Sequence, residues 1–292
     1  MSTGNRRWPR RIWIHHWNET AAPMKNLLAT SLLLLCCGSL KAADSVPGGL
    51  YLHPLPDDAV SVRYRDQPVL IYRQVAVVGI HLNAEPGTHK IRVEHADGSH
   101  EWRQFSVADK TYTEQHLTIE NPRMVNPLAE DLVRIREESA RMRAEYERFS
   151  KQQDSPLPFV QPVAGPLSSS FGRRRVLNGE PRAPHSGLDS AAVEGTPILS
   201  PAPGTVTLTG DFYFNGNTVF VDHGQGLISM MCHLSRIEVA EGTLVDRGDL
   251  LGLVGATGRV TGAHLHWSVS MNGNRVDPAM VMALFSEQAA DP

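Results

Sequence analysis

The sequence predicts a mainly β protein with one linking helix, on the basis of three observations. Between residues 48 and 120, short alternating or β-branched runs are separated by the turn sequences "PGTH" and "ADGS". Residues 127–153 change to an apolar period of three and four. From 159 to 282 the chain is glycine-rich with short valine, leucine and isoleucine runs. We therefore expect a small N-terminal β-sandwich, an amphipathic helix and a C-terminal antiparallel β domain.

Composition excludes some classes of function. The 292 residues are 41% hydrophobic and 20% charged, which is ordinary globular composition. The net charge is -3, with basic and acidic residues mixed along the chain. No broad basic stretch indicates binding to phosphate backbones, so nucleic acid is not expected as a partner.

Residues 1–42 are interpreted as a leader that contains a signal peptide. The stretch "MKNLLATSLLLLCCGSLKAADS" has a basic start, a short apolar run and small residues near Ala43. We interpret Met24 as the start of translation, the alternative being a long basic region before the apolar run. A retained membrane anchor and a lipoprotein at Cys36 or Cys37 are weaker alternatives, because the apolar run is short and a leucine precedes Cys36. We expect export to the periplasm or cell envelope.

The mature chain is predicted to have three parts. Residues 43–126 form the N-terminal domain, 127–153 the helix and 154–292 the C-terminal domain. The proline-rich stretch "DSPLPFVQPVAGP" marks the last boundary. The helix is expected to bury one apolar stripe and expose its charges to solvent. The stripe consists of Leu128, Leu132, Ile135, Met142, Tyr146 and Phe149.

Several residues with reactive side chains are interpreted as structural. Cys232 is the one cysteine after the leader and is flanked by apolar residues, which is typical of a core position. Six N-terminal histidines are scattered among predicted strands and turns, so we expect them at the surface. They are His53, His81, His89, His95, His100 and His116.

The stretches "HSGLD" and "HLH" carry the chemistry of the C-terminal domain. In a strand, His264 and His266 point to one face about 7 Å apart. His185 and Asp189 approach each other only if the chain bends at Ser186 and Gly187. Imidazole and carboxylate groups bind zinc, and a catalytic zinc usually has three protein ligands. His185, Asp189 and one histidine of the pair supply such a set, and the other histidine is left to transfer protons.

Three separated motifs resemble the LytM/lysostaphin-type zinc metallopeptidases of the bacterial cell wall. They are "SSSFGRRRVLNGEPRAPHSGLDSAAVEGTPILSPAPGTV", "NTVFVDHGQGLISMMCHLSRIEVAEGTLVDRGDLLGLVGATGRVTGAHLHWSV" and "VDP", in that order, covering about residues 159–283. The resemblance implies a peptidase domain with an open groove and one Zn²⁺, bound by His185, Asp189 and His266. It implies His233 and His264 as catalytic residues. Residues 48–126 resemble the β domain that precedes the peptidase in some exported members.

Two positions depart from the family's pattern. Met231 stands where many relatives have tyrosine, and we expect a substrate contact there. Ala263 stands where proline often precedes the two histidines, which should alter only local rigidity. His223 is not a ligand in this scheme and is interpreted as a turn residue.

The resemblance implies that the chain hydrolyses peptide crosslinks between peptidoglycan stems, and we favour the D-alanyl-diaminopimelate type. The N-terminal domain is expected to inhibit the peptidase, or a regulatory protein to control it. One alternative is a non-catalytic regulator of cell-wall amidases. A second, a biotinyl or lipoyl carrier, is excluded because residues 152–292 contain no lysine.

Overall fold

The computed structural model describes residues 45–151 and 158–286. The predicted leader, the Met24 start and the boundary at residue 154 lie outside these ranges. Among the described residues, neither helix combines the length and apolarity needed to cross a membrane.

The N-terminal part is a two-layer β structure, as the sequence predicts. The strands are β1 Leu50–Pro54, β2 Ala59–Tyr64, β3 Gln67–Pro68, β4 Leu70–Tyr72, β5 Val75–Gly79, β6 Gly87–His95, β7 His100–Val107 and β8 Glu114–Leu117. One sheet has the order β1-β5-β4 and the other β3-β2-β6-β7, and a cluster that includes Val62, Tyr64 and Ile91 lies between them.

The C-terminal part is built on one eight-stranded sheet, ordered β18-β14-β15-β16-β20-β12-β9 with β21 paired to β20. A small sheet, β13-β19-β17, packs beside it. The elements are α1 Asp131–Tyr146, β9 Leu167–Ser169, β10 Arg174–Leu177, β11 Glu180–Pro181, β12 Leu188–Ala191, β13 Pro197–Leu199, β14 Gly204–Phe212, β15 Gly216–Asp222, β16 Ile228–Leu234, β17 Arg236–Ile237, β18 Leu244–Val245, β19 Leu250–Leu253, β20 His264–Met271, β21 Asn274–Val276 and α2 Pro278–Leu284.

The two parts are joined through apolar packing and through one strand pair. Leu50, Leu70 and Val77 of the first sheet belong to the same buried cluster as Trp267 of the large sheet. In addition, β8 pairs in parallel with β10, and β10 pairs with β11. The N-terminal part therefore contributes a strand directly beside the C-terminal domain.

Helix α1 differs from the predicted apolar stripe. Met142 and Tyr146 pack against the large sheet, but Leu132 is 42% exposed and Phe149 also 42% exposed. The buried side chains include three acids spaced seven residues apart, Asp131, Glu138 and Glu145. Each acid has a hydrogen-bond or ion-pair partner. The prediction that the helix exposes its charges to solvent is therefore wrong for these three residues.

These partners hold helix α1 against the C-terminal domain. Asp131 binds the Arg123 guanidinium through both carboxylate oxygens, each at 2.7 Å. The Tyr213 backbone N–H donates to Glu138 Oε2 at 2.7 Å. Carboxylates with hydrogen-bond partners can replace apolar side chains at a helix interface, because the partners offset the cost of desolvation.

Candidate metal centre and its cleft

The first site element is the turn from His185 into β12. Asp189 lies directly opposite His266 in the antiparallel pair of β12 and β20, so both side chains point to the same face. A Cβ on Gly187 would lie 2.5 Å from the Trp267 carbonyl oxygen and 2.8 Å from the His266 ring. Glycine is therefore required for close approach, and the predicted bend brings His185 back over the strand.

Three ligand atoms converge on one point. His185 Nε2 lies 2.9 Å from Asp189 Oδ1 and 3.0 Å from His266 Nδ1, and that nitrogen lies 2.7 Å from Asp189 Oδ1. All three side chains are buried. Among the histidine, cysteine and acidic side chains of the described residues, these three have ligand atoms close enough together to share one ion.

The second nitrogen of each imidazole is already bound. His185 Nδ1 donates to Ser170 O at 2.8 Å, and His266 Nε2 donates to Ser268 Oγ at 3.0 Å. The Ser268 hydroxyl in turn donates to Ser186 O at 2.8 Å, so its oxygen is left to accept. Both rings therefore present a lone pair to the convergence point.

Two lone pairs and a carboxylate oxygen within 3.0 Å of one another repel unless a cation lies between them. Two imidazoles and one carboxylate match the donors of catalytic zinc sites. The residues present therefore fit a zinc ion with three protein ligands.

The other oxygen of Asp189 is held by an arginine. Arg175 Nη2 donates to Asp189 Oδ2 at 3.0 Å, which leaves Oδ1 to face the two imidazoles. Burial by itself would raise the pKa of Asp189, but any proton that His185 Nε2 or His266 Nδ1 carries toward Oδ1 outweighs it, so that pKa lies well below its usual range, and a cation at the same point acts in the same direction. Asp189 is therefore ionised, as a metal ligand must be.

A second pair of histidines, His233 and His264, lies beside the first group. Their ring centroids are 5.0 Å apart, and His233 is 6.0 Å from the His266 ring. His233 Nδ1 donates to Thr257 O at 2.9 Å, and His264 Nδ1 donates to Gly262 O at 2.9 Å. Each ring is thus left with a lone pair on Nε2.

A β-bulge turns His233 toward the site. Strands β15 and β16 change register so that Thr218 lies opposite two residues, Cys232 and His233. His233 has φ of 69°, in the left-handed region that non-glycine residues rarely adopt. Without the extra residue, His233 would share the face of Met231, two positions earlier, so the bulge redirects the imidazole.

Burial makes His233 difficult to protonate. Loss of solvation is the largest effect, followed by the nearby His266 and His264 rings, and together they lower the pKa of His233 to about 3. His264 is more exposed, and its Nε2 lies 3.8 Å from Asp189 Oδ1. The two imidazoles therefore occupy different electrostatic environments.

The histidine pair and Asp189 line a cleft of about 250 Å³. Its far wall is formed by Gln115, Leu117 and Ile119, in and just after β8, so the N-terminal part borders the cleft. Ser169 Oγ donates to Gln115 Oε1 at 3.2 Å across this boundary. The groove expected to be open is therefore bordered on one side by a segment from outside the C-terminal domain.

Arg259 is the second cation of the cleft. Its guanidinium lies 4.3 Å from the Phe214 ring centroid, and Nη1 donates to Met124 O at 3.3 Å. Burial, then the like charges of Arg175 and Arg182, lower its pKa to about 10, so it remains charged at neutral pH. Among the described residues, no carboxylate forms an ion pair with it.

Comparisons with known proteins agree with this geometry. The family model "Peptidase family M23" matches residues 183–278. A solved structure of a protein described as a peptidase M23 of Pseudomonas aeruginosa is 46% identical, with a TM-score of 0.69, and the match covers 82% of this chain and 96% of that one. The chain belongs to peptidase family M23. The resemblance inferred from the sequence motifs is thereby confirmed.

Two curated relatives in family M23 share only the peptidase region. Peptidoglycan DD-endopeptidase ShyA of Vibrio cholerae is 41% identical over 112 residues, which are 38% of this chain and 26% of ShyA. DD-carboxypeptidase/endopeptidase Mpg of Neisseria meningitidis serogroup B is 40% identical over 115 residues, 39% of this chain and 26% of Mpg. The chain thus matches about a quarter of the length of these relatives.

The structure brings together five of the predicted M23 site residues and separates one. His185, Asp189 and His266 converge, with His233 and His264 beside them. Met231 is fully buried and belongs to the same core cluster as Trp267, on the sheet face opposite His266. The expected substrate contact at Met231 is therefore wrong, since strand alternation directs that side chain into the core.

The residues interpreted as structural behave largely as predicted. Cys232 is a free, buried cysteine. His223 precedes a turn but is buried, and its ring nitrogens contact Pro203 O at 2.8 Å and Ser229 Oγ at 2.9 Å. None of the six N-terminal histidines is fully buried.

Sequence reasoning missed the residues that position or surround the ligands. Ser268 could have been found, because it follows His266 by two residues and shares its face. Arg259 lies in the glycine-rich stretch before the "HLH" motif. Arg175 is one of three consecutive arginines, 173–175, and nothing in the sequence distinguishes it from its neighbours.

Proposed function

We propose that the chain is an exported zinc metalloendopeptidase that hydrolyses peptide crosslinks of peptidoglycan, with the D-alanyl-diaminopimelate bond as its target. The convergence of His185, Asp189 and His266 beside a pair of proton-accepting histidines carries this proposal. The names of the curated relatives, which describe peptidoglycan DD-endopeptidase activity, support the substrate class.

Zinc held by the three ligands would polarise the scissile carbonyl and lower the pKa of a water molecule to about 7. His264 Nε2 has a lone pair and partial access to solvent, so it takes the proton of the attacking water. Asp189 at 3.8 Å stabilises the imidazolium that forms. The same proton then passes to the leaving amine, which restores neutral His264.

His233 has a different part in this mechanism. Because burial keeps its imidazole neutral, it accepts a hydrogen bond at Nε2 and orients either the water or the substrate N–H. Its left-handed backbone stores strain of about 1–3 kcal/mol, which the fold tolerates where a side chain must be aimed at a site.

Arg259 supports the choice of bond. Diaminopimelate is a dicarboxylic acid, so a crosslink through it retains a carboxylate beside the amide nitrogen. Arg259 lines the same cleft as His264, and its guanidinium has no acidic partner among the described residues, which suits that group. We therefore assign Arg259 to recognition of this carboxylate.

The decisive experiment measures zinc content and released muropeptides together. Wild type should bind one zinc per chain and release crosslink-cleavage products from purified sacculi, identified by mass spectrometry. His266→Ala should lose both, whereas His116→Ala, at an exposed N-terminal histidine with a 70% exposed side chain, should lose neither. Wild type that holds zinc but releases no muropeptides, and instead stimulates an amidase, would favour the regulatory alternative.

We also propose that β8 restrains the enzyme. Gln115 and Leu117 border the cleft. Strand β8 is attached to β10 by four residue pairs and by the Arg174–Glu114 ion pair, so separation of these strands would widen the cleft. His116 lies opposite Val176 in that pair, and His116 is exposed. These positions allow the strand to be locked without changing a cleft residue.

A disulfide between His116→Cys and Val176→Cys tests the restraint, since paired strand positions suit disulfide geometry. If β8 must move, the oxidised form should cleave sacculi at least about tenfold more slowly than the reduced form, because the competent fraction falls. His116→Cys alone should respond to neither oxidant nor reductant. Equal rates in both redox states would show that β8 is a permanent wall.

Export is proposed from the leader sequence and from the substrate class. Cell fractionation with an antibody to the mature chain should find the protein in the periplasm or envelope and shortened by about the predicted leader.

A further inference from the structure

The outward face of the second N-terminal sheet carries a basic and aromatic surface. Arg63 of β2 lies opposite Arg92 of β6, and Arg92 lies opposite Trp102 of β7, so the three form one row across the sheet. Lys90 and Gln104 form the next row. Because alternate residues such as Val62, Ile91 and Val93 fill the core, these side chains project outward.

These side chains surround an open depression of about 610 Å³, which we name the basic face. Four cations and a single carboxylate are among the residues that line it. The whole chain has a net charge of -3, so this concentration of positive charge is local. The lining residues are Arg63, Tyr64, Arg65, Asp66, Thr88, His89, Lys90, Arg92, Trp102 and Gln104.

Part of the positive charge is not neutralised within the fold, although Glu94 pairs with Arg92 and also interacts electrostatically with Arg63. Arg63 Nη1 donates to a backbone oxygen, that of Asp66, at 2.7 Å. Lys90 Nζ lies 4.2 Å from the Trp102 ring centroid. Arg92 contacts Glu94 at 3.2 Å, yet its buried Nε has no hydrogen-bond partner in the described part of the chain. The exposed side chains of Arg63, Arg65 and Lys90 thus keep donors that a ligand anion would bind, whereas the buried Arg92 Nε is not accessible to it.

Trp102 adds an apolar element to the same surface. Its side chain is 52% exposed although it is the largest residue of the row. The indole is in cation–π contact with Lys90, so a flat aromatic group and positive charge lie side by side on this surface. Indole faces pack against sugar rings, and guanidinium groups bind carboxylates in a forked geometry.

The position of the basic face separates it from the catalytic cleft. The other sheet of the sandwich, through Leu50, Leu70 and Val77, packs into the core of the peptidase domain. The basic face lies on the outer side of the second sheet, away from that interface. A ligand held there is therefore bound in addition to the peptide in the cleft.

We propose that the basic face binds the anionic glycan-peptide polymer of the cell wall, with Trp102 against sugar rings and the row of Arg63 and Arg92 on stem-peptide carboxylates. This inference rests on the proposed function for its choice of polymer. Contact at a second point raises the effective concentration of crosslinks near the cleft. The basic face therefore increases cleavage of the polymer and has no effect on a small crosslinked fragment.

The test compares three full-length proteins: wild type, Arg63→Gln/Arg92→Gln and the matched control Arg136→Gln/Arg143→Gln, which removes two exposed charges from α1. Co-sedimentation with insoluble sacculi measures binding, and kcat/KM is measured on sacculi and on a soluble crosslinked muropeptide dimer. We expect the basic-face variant to bind sacculi about tenfold or more weakly and to lose a similar factor in kcat/KM on sacculi. Its kinetics on the dimer, and all properties of the control, should match wild type.

Trp102→Ala provides a second, independent measurement. It should weaken sacculus binding and leave the salt dependence of that binding nearly unchanged. Arg63→Gln/Arg92→Gln should instead make sacculus binding less dependent on salt concentration. Unchanged sacculus binding in both variants would overturn the proposal. Loss of binding to phosphatidylglycerol vesicles with normal binding to sacculi would also overturn it, in favour of a membrane partner.

The outcomes distinguish this inference from the proposed function. Wild type that binds sacculi through the basic face and cleaves neither substrate would refute the enzymatic function alone. Wild type that cleaves both substrates, with basic-face variants that bind and cleave sacculi normally, would refute the basic face alone.

Discussion

The three proposed metal ligands and the neighbouring histidine pair are all imidazole or carboxylate groups, but the fold holds them differently. His185, Asp189 and His266 are fixed from the sheet and its adjoining turns, and each has a second contact, to Ser170 O, Arg175 and Ser268. His233 and His264 are each held through Nδ1 by one carbonyl of the connection between β19 and β20. The three converging side chains are thus held from several parts of the fold, whereas both Nδ1 contacts of the pair come from one loop.

This difference indicates separate functions, metal binding for the first group and proton transfer or hydrogen bonding for the second. A metal requires several donors to meet at one point, which favours side chains that are each fixed by a second contact. Proton transfer requires a nitrogen whose lone pair remains accessible, which favours a side chain with a single anchor. The following predictions test this comparison, from the largest expected effect to the smallest.

Removal of either member of the histidine pair should abolish most activity and leave the metal in place. His264→Ala should lower kcat by about 10²–10⁴-fold, the range for a general acid–base group. His233→Ala, which removes an orienting hydrogen-bond acceptor, should lower kcat by about tenfold or more. Zinc content should stay at one per chain, because neither side chain is needed as a ligand. If either variant is purified without zinc, the division between ligands and proton-transfer groups is wrong.

Removal of the Ser268 hydroxyl, which contacts a proposed ligand, should have the opposite effect. Zinc affinity should fall, while the chemical step should be retained. Ser268→Ala deprives His266 Nε2 of its acceptor, so zinc affinity should fall about 10–100-fold. At saturating zinc, kcat should recover. Ser270→Ala is the matched control, since this buried serine of the same strand donates to Tyr146 O instead. Equal zinc affinity in wild type and Ser268→Ala would contradict the assignment.

Arg259 should affect neither zinc nor the chemical step. Arg259→Gln should raise KM for a diaminopimelate crosslink about tenfold or more, the loss expected for a charge-assisted hydrogen bond. The KM of Arg259→Lys should lie between those of wild type and Arg259→Gln, because lysine keeps the positive charge but lacks the forked donors of a guanidinium. A substrate with the adjacent carboxylate amidated is the control, and the three proteins should show the same KM for it.

A buried histidine outside the site should affect only stability. Burial lowers the pKa of His223 to about 4, whereas an unfolded histidine titrates near 6.5. Between these values the unfolded state binds one more proton, so the free energy of unfolding falls as pH falls. In zinc-free protein, wild type should lose about 2 kcal/mol more than His223→Gln from pH 7 to pH 5.

Urea unfolding at the two pH values measures this difference. A constant stability gap between wild type and His223→Gln would mean that His223 is not held neutral in the native state.

Much of the site could be predicted from sequence. The strand period places His264 and His266 on one face, and "HSGLD" requires a bend before His185 and Asp189 can meet. Both expectations match the structure. Helix α1 is shorter than the predicted range 127–153, and the predicted apolar stripe is only partly correct. Met142 and Tyr146 pack as expected, but Leu132 is exposed and three acids are buried: Asp131, Glu138 and Glu145. The partners of those acids are distant in sequence, so local periodicity does not reveal them.

The sequence by itself determined the mainly β architecture, the ligand types and the family, because alternation, glycine placement and short motifs depend on neighbouring residues. Only the tertiary structure decided that a bulge aims His233 at the cleft, that Met231 faces the core and that β8 borders the groove. It also placed Arg63, Arg92 and Trp102 in one row. The physical reason is register: each arrangement depends on how separate strands pair, and a shift of one residue would reverse which side chains face each other.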